Sequence, residues 1–161
     1  VGVACMLEWM VQFAVSFLAT VAFAVLFHVP RKEYVFSGLT GAVGWVCYLA
    51  AVQAGWGVVT ASFLAALVLT VLCRVFAVAR KTPITIFLIC GIFPLVPGAG
   101  IYYTAYYFIM GQNTAAADKG IETLKIAVAI SLGILLVFSL PQRLVNLLAL
   151  RPQKEKKRGS R

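Results

Sequence analysis

The sequence predicts an all-α integral membrane protein with five transmembrane helices. The N-terminus lies outside, the C-terminus lies in the cytoplasm, and helix 4 is broken at a P-x-x-P-G motif. Three observations predict this. Apolar residues make up 62% of the chain and charged residues 12%, against roughly 45–50% and 25% in ordinary globular proteins. The few charges fall between apolar stretches rather than within them. One apolar stretch contains GIFPLVPGAGIYY, residues 91–103, although helix interiors normally exclude both proline and glycine. The mean hydropathy of +0.96 fits lipid as the solvent, since a soluble domain of this length cannot hide so much apolar surface.

Five stretches hold almost no charge: Ala4–Phe27, Tyr34–Gln53, Gly57–Ala79, Ile84–Met110 and Ile126–Leu140. Each approaches or exceeds the roughly 20 residues that a spanning helix needs. The fifth regains apolar character through Leu144, Val145, Leu147 and Leu148. Residues 1–148 therefore read as a single five-helix transmembrane domain, and residues 149–161 as a basic cytoplasmic tail. The first stretch is too long for the apolar region of a signal peptide and lacks its basic leader, so it reads as a spanning helix.

Lysine and arginine accumulate on the cytoplasmic side of a membrane. Arg31 and Lys32 follow the first stretch, and Arg80 and Lys81 follow the third. The tail carries RPQKEKKRGSR. With the N-terminus outside, these residues all fall inside. Lys119 and Lys125, offset by Asp118 and Glu122, are the exceptions. The net charge of +9 is mostly this pattern. The basic run is a short tail that touches anionic lipid. It is not the folded basic surface with exposed aromatics that nucleic acid requires, so membrane lipids are expected as partners and nucleic acid is not.

The enzyme classes find no support. The sequence has no P-loop, no G-x-S-x-G and no paired intramembrane carboxylates. The four cysteines, one per apolar stretch, lack metal-ligand spacing and read as small buried hydrophobes. His28 is the only histidine. No metal and no cofactor is expected.

The second stretch carries Ser37, Gly38, Gly41 and Gly44 at three- and four-residue steps. In lipid such a face lets helices approach closely, and it reads as a packing seam or as a thin wall beside a substrate path. In the third stretch, Arg74 has two readings. It snorkels to the cytoplasmic interface, or it faces inward and pairs with substrate or partner. In the fourth, Pro94 and Pro97 each remove a backbone donor. Phe93 and Val96 precede prolines and are pushed towards extended conformations, and Gly98 is free to take a positive φ. Residues 93–98 are expected to be unwound at mid-membrane depth. A second half-helix is expected to begin at about Gly98–Ala99, and its first amides, around Gly100, Ile101 and Tyr102, then offer a carboxylate a small positive end. The carbonyls of residues 91–94 are left to hold a cation. Tyr102, Tyr103, Tyr106 and Tyr107 line or seal a wet path. The competing reading is a purely structural proline kink.

These residues resemble a known family. Phe27-His28-Val29-Pro30-Arg31, the glycines Gly38, Gly41 and Gly44, Pro83 leading the fourth stretch, and Pro94-Leu95-Val96-Pro97-Gly98 followed by Tyr102 are similar to the bacterial threonine/serine exporter family. The resemblance is to its small-subunit type, which matches the C-terminal half of fused exporters, and it runs from about Phe13 to Leu140. Relatives often carry a hydroxyl residue shortly after the Pro-Gly. Here Ala99-Gly100-Ile101 offers none, which shifts weight to backbone amides and tyrosines.

The resemblance implies a two-component secondary transporter in the bacterial inner (plasma) membrane. A second, longer membrane subunit supplies the other half. The pair exports a small carboxylate metabolite, either threonine and serine or a succinate-like dicarboxylate. Pro94, Pro97, Gly98, Ala99, Gly100, Tyr102, Tyr103 and Arg74 are then the expected substrate-binding residues. Gly38, Gly41, Gly44, Pro83 and Gly91 serve helix packing or gating. The alternative is a non-transporting membrane scaffold or assembly subunit whose partner holds the substrate site.

Overall fold

The computed structural model describes residues 2–141, with side chains from Met6 onward. Among these residues the fold is helical without strands: α1 (Gly2–Leu26), α2 (Tyr34–Gln53), α3 (Val58–Arg80), α4 (Ile84–Ile92), α5 (Gly98–Ile109) and α6 (Asn113–Ser139). Short 3₁₀ turns at Arg31–Glu33 and Phe93–Leu95 precede α2 and follow α4. The boundary expected at 148/149 lies outside the described residues. Four helices are long and apolar enough to cross a membrane. A bent pair, Ile84–Leu95 with Gly98–Ile109 at 47°, makes a fifth if taken as one span. The chain is a multi-pass membrane protein.

Four turns stop the helices by one device. His28, Gly55, Lys81 and Gly111 have positive φ. The next amide reaches back five residues in each case, as Val29 N–H does to Ala24 and Thr82 N–H to Ala77. This is the Schellman cap, which satisfies carbonyls that a helix end leaves open. Gly98, expected to use positive φ, does not; it is simply the first residue of α5.

Helix α2 occupies the middle, packed against α1, α3 and α4. Its small residues face two ways. A Cβ at Gly38 would meet Phe17 and Val21 of α1, and one at Gly41 would strike Thr20. At Gly44 it would meet Leu69 of α3. Gly91 of α4 lies against Thr40 and Leu69 in turn. Close approach at bare backbone is what holds helices together where lipid offers no hydrophobic drive. The core gathers Ala65, Ala66, Leu69, Cys73, Phe87, Leu95 and Ile130. Across the α1–α2 seam, the Trp45 Nε1–H donates to Gln12 Oε1 at 2.9 Å.

Helix α6 departs from the sequence reading, which began it at Ile126 and left the preceding charges in a loop. The helix starts at Asn113. Ala115, Ala116, Ala117, Glu122 and Leu124 are strong helix formers. Lys119 and Glu122 pair one turn apart at 2.7 Å, and α5 covers Ala116 and Thr123. The two halves of α6 thus have different partners. Its N-terminal half pairs with α5 antiparallel, Gly100 against Thr123 and Thr104 against Gly120. Its C-terminal half lies along α3, Gly133 against Ala66 and Val137 beside Arg74. Residue numbers rise together along that second contact, so α6 runs parallel to α3.

Candidate functional site

Between α4 and α5 the backbone leaves the helical region over fewer residues than the expected 93–98. Phe93–Leu95 keeps a 3₁₀ turn, and only Val96 (φ −61, ψ 128) and Pro97 (φ −76, ψ 56) leave the helical region. Both X-Pro steps act as the stereochemistry requires, yet the first is absorbed in tighter winding, because a 3₁₀ turn tolerates Pro94 near its start. Phe93 is clamped by α1: its ring stacks on Phe23 at 3.9 Å and leans on Phe27 at 5.6 Å. The carbonyls of Ile92 and Phe93 accept the Val96 N–H, each at 3.2 Å, so the acceptors expected to hold a cation are partly engaged.

Leu95 joins Ala65, Leu69, Cys73 and Ile130 in the core cluster, so the 3₁₀ turn that leads into the interruption packs inside the helix bundle.

Beyond the break, α5 packs on α6 and buries none of its own residues. The Gly98 N–H turns back to the Val96 carbonyl at 2.7 Å, and the Ile101 N–H reaches Pro97 at 3.1 Å. The amides of Ala99 and Gly100 have no intrahelical acceptor, as at any helix start. Between α5 and α6 opens a groove of about 1060 Å³. Val96, Pro97, Ile101, Phe108, Leu124 and Ile130 line much of it. Its threonine hydroxyl protons are already engaged, since Thr104 donates to the Gly100 carbonyl and Thr123 to that of Lys119, both at 2.7 Å. The groove is apolar.

The structure brings some of the expected site residues together and scatters others. Pro94, Pro97, Gly98, Ala99 and Gly100 are contiguous at the break. Gly100 faces α6, where a Cβ would strike Thr123. Tyr102 and Tyr103 point away from the body, 64% and 46% exposed, and stack on Tyr106 and Tyr107. Arg74 turns onto α6. Its guanidinium is buried and donates to the carbonyls of Val137 and Leu140, the latter at 2.9 Å. It caps the C-terminal end of α6, where carbonyls lack intrahelical donors and the dipole favours a cation. Pro83 takes the N-cap position of α4, where its fixed φ suits the entry.

One residue escaped the sequence reading. Glu33 is fully buried, and both its oxygens are held by Arg80, Oε2 by Nε at 3.0 Å and Oε1 by Nη2 at 3.2 Å. Its position in a basic loop, 47 residues from Arg80, gave no local signal. Only a tertiary contact pairs them.

A family model described as Threonine/Serine exporter, ThrE, matches residues 12–140. The chain belongs to the threonine/serine exporter family. Comparison with curated proteins and with solved structures returned no match. The matched stretch of this exporter-family chain contains the α2 glycines, the whole of the break and both halves of α6.

Proposed function

We propose that the chain is one subunit of a two-component secondary transporter that exports a small carboxylate metabolite, threonine or serine or a succinate-like dicarboxylate, across the bacterial inner membrane. The observation that carries this is family membership combined with an incomplete surface. Helix α5 buries no residue, and the groove beside it is open. A second, longer membrane subunit completes that surface. The chain acts as a transport component and not as an enzyme.

In this reading α4 and α5 form one bent span. The parallel course of α3 and α6 supports it: two parallel neighbours need a connection that crosses the layer once. The end carrying Arg31, Lys32, Arg80 and Lys81 faces the cytoplasm, by the usual bias of basic loops, and the N-terminus lies outside. The amides of Ala99 and Gly100 meet the substrate carboxylate at the foot of the groove, as half-helix starts do in other transporters.

The apolar lining of the groove favours a second reading. There the chain is a non-transporting scaffold, a partner helix fills the groove, and that partner holds the substrate. Efflux of labelled threonine, serine and succinate separates the two, measured from cells producing this chain alone, its longer neighbour alone, and both. Equilibrium binding to the purified chain and to the pair completes the test. Efflux and binding only from the pair, lost when Gly100 is enlarged, support the transport subunit. Full binding by the longer chain alone leaves the scaffold, and no efflux from any combination refutes both.

A further inference from the structure

We infer that Glu33 and Arg80 form a latch that holds the Arg31/Lys81 end of the helix bundle shut. The latch rests on the reading above only in naming that end cytoplasmic.

The contacts form one chain across three helices. Glu33 lies at the start of α2, its carboxylate buried and forked onto Arg80 at the end of α3. The Arg80 guanidinium also covers the Phe36 ring, 4.6 Å from its centroid. Phe36 meets Phe76 of α3 edge to face at 5.2 Å, and Phe76 meets Phe87 of α4 at 6.1 Å. The α1–α2 turn, the foot of α3 and the foot of α4 are thereby tied at one point. The adjoining α3–α4 turn carries Lys81 in the left-handed region and a buried Thr82 hydroxyl without a partner.

Here the carboxylate is buried while Arg80 keeps about a third of its side chain exposed; such a pair is weak evidence for stability, because desolvation offsets much of the attraction, and its best-attested use is to fix one arrangement against others. A bidentate arginine fork adds geometric specificity. An exporter must open at the end where its cargo enters. Below this end Cys73 and Cys90 are both fully buried, Cys73 in the cluster that holds Phe87 and packs on Phe36 and Phe76, and Cys90 beside Ala24, Val29 and Ile86. Opening would carry water to them.

The test is thiol alkylation in native membranes, with Cys5 and Cys47 replaced by serine and labelling read at Cys73 and Cys90 by peptide mass. Maleimide reacts with thiolate in water, so dry thiols are slow. Glu33→Gln is expected to speed labelling of Cys73 and Cys90 about tenfold, since the unpaired Arg80 no longer closes the end. The charge swap Glu33→Arg with Arg80→Glu is expected to return most of the way to the parent rate. If Glu33→Gln does not reach the membrane, Arg80→Lys is read in its place, because it keeps the charge and loses the fork. Parent-like rates in the variant that folds overturn the latch, and so does a swap as fast as the single change. An impermeant reagent added from each side shows which face opens. Acceleration from the outer face leaves the latch standing and refutes the orientation. These rates need no transport, so a failed efflux assay strikes the proposed function alone.

Discussion

Replacing Gly41 with alanine tests the packing logic of the whole bundle. A Cβ there would lie 2.9 Å from both Cβ and Cγ2 of Thr20, with the Thr20 hydroxyl closer still. Rotating Thr20 does not relieve this, because its Cβ cannot move without α1. Non-bonded carbons prefer roughly 3.5–4.0 Å, so α1 must back away from α2 by about 0.5 Å or more. A gap of that size forfeits a quarter to a half of each contact along the seam, including those of Phe17 and Val21 at Gly38. Overpacking of this kind costs about 1–3 kcal/mol. For a chain of this length that lowers the unfolding midpoint by roughly 2–12 °C, taking about 2–4 °C per kcal/mol. The assay is the midpoint for loss of monodisperse protein in detergent, read by fluorescence-detected size exclusion. Thr20→Ala removes the hydroxyl and methyl and gives up one bond to the Ser16 carbonyl. Combined with Gly41→Ala, it should recover part of the loss, a coupling of about 0.5 kcal/mol or more, while the 2.9 Å approach to the residue 20 Cβ remains. A Gly41→Ala midpoint equal to the parent's, or no recovery in the double variant, would refute the reasoning.

Three further outcomes follow from the same geometry. Gly98→Ala should leave insertion and midpoint unchanged, because nothing lies within 4 Å of its Cβ and its φ is ordinary; a drop in midpoint contradicts that placement. If this variant inserts normally yet loses efflux, the loss belongs to the substrate path. Arg74→Gln should lower the midpoint, because the carbonyls of Val137 and Leu140 lose a charged donor worth about 1.5–3 kcal/mol. Arg74→Lys should recover part of it, since both carbonyls are served by the single Nη1 and an ammonium keeps the charge and several donors on one nitrogen. Cysteines placed at Lys32 and at Gln112, in a background free of native cysteines, should label from opposite sides of the membrane. Labelling from one side would mean that α4 and α5 turn back instead of crossing.

The fold was legible because lipid makes hydropathy decisive. A span must satisfy its own backbone in a medium without water, so runs of apolar residues mark helices whatever packs against them. The backbone departure at Val96–Pro97 was legible for the same local reason. Proline cannot donate and restricts its predecessor, and Val96–Pro97 leaves the helix as that demands. Pro94 was misjudged because local rules state where a helix is weakened, not whether tighter winding will carry it on. The early start of α6 was missed because its charges read as loop, whereas an ion pair one turn apart and the face of α5 keep Asn113–Lys125 helical.

What the sequence alone determined is the set of apolar stretches, the departure from helix at Val96–Pro97 and the family, all of which rest on local chemistry. The tertiary structure decided that Arg74 ends as a helix cap, that Glu33 is buried against Arg80, that the tyrosines of α5 face outward, and that the groove is apolar. Each depends on which helix lies beside which. That choice is made by contacts dozens of residues apart, as between Glu33 and Arg80 or Arg74 and Val137, and no local pattern encodes it.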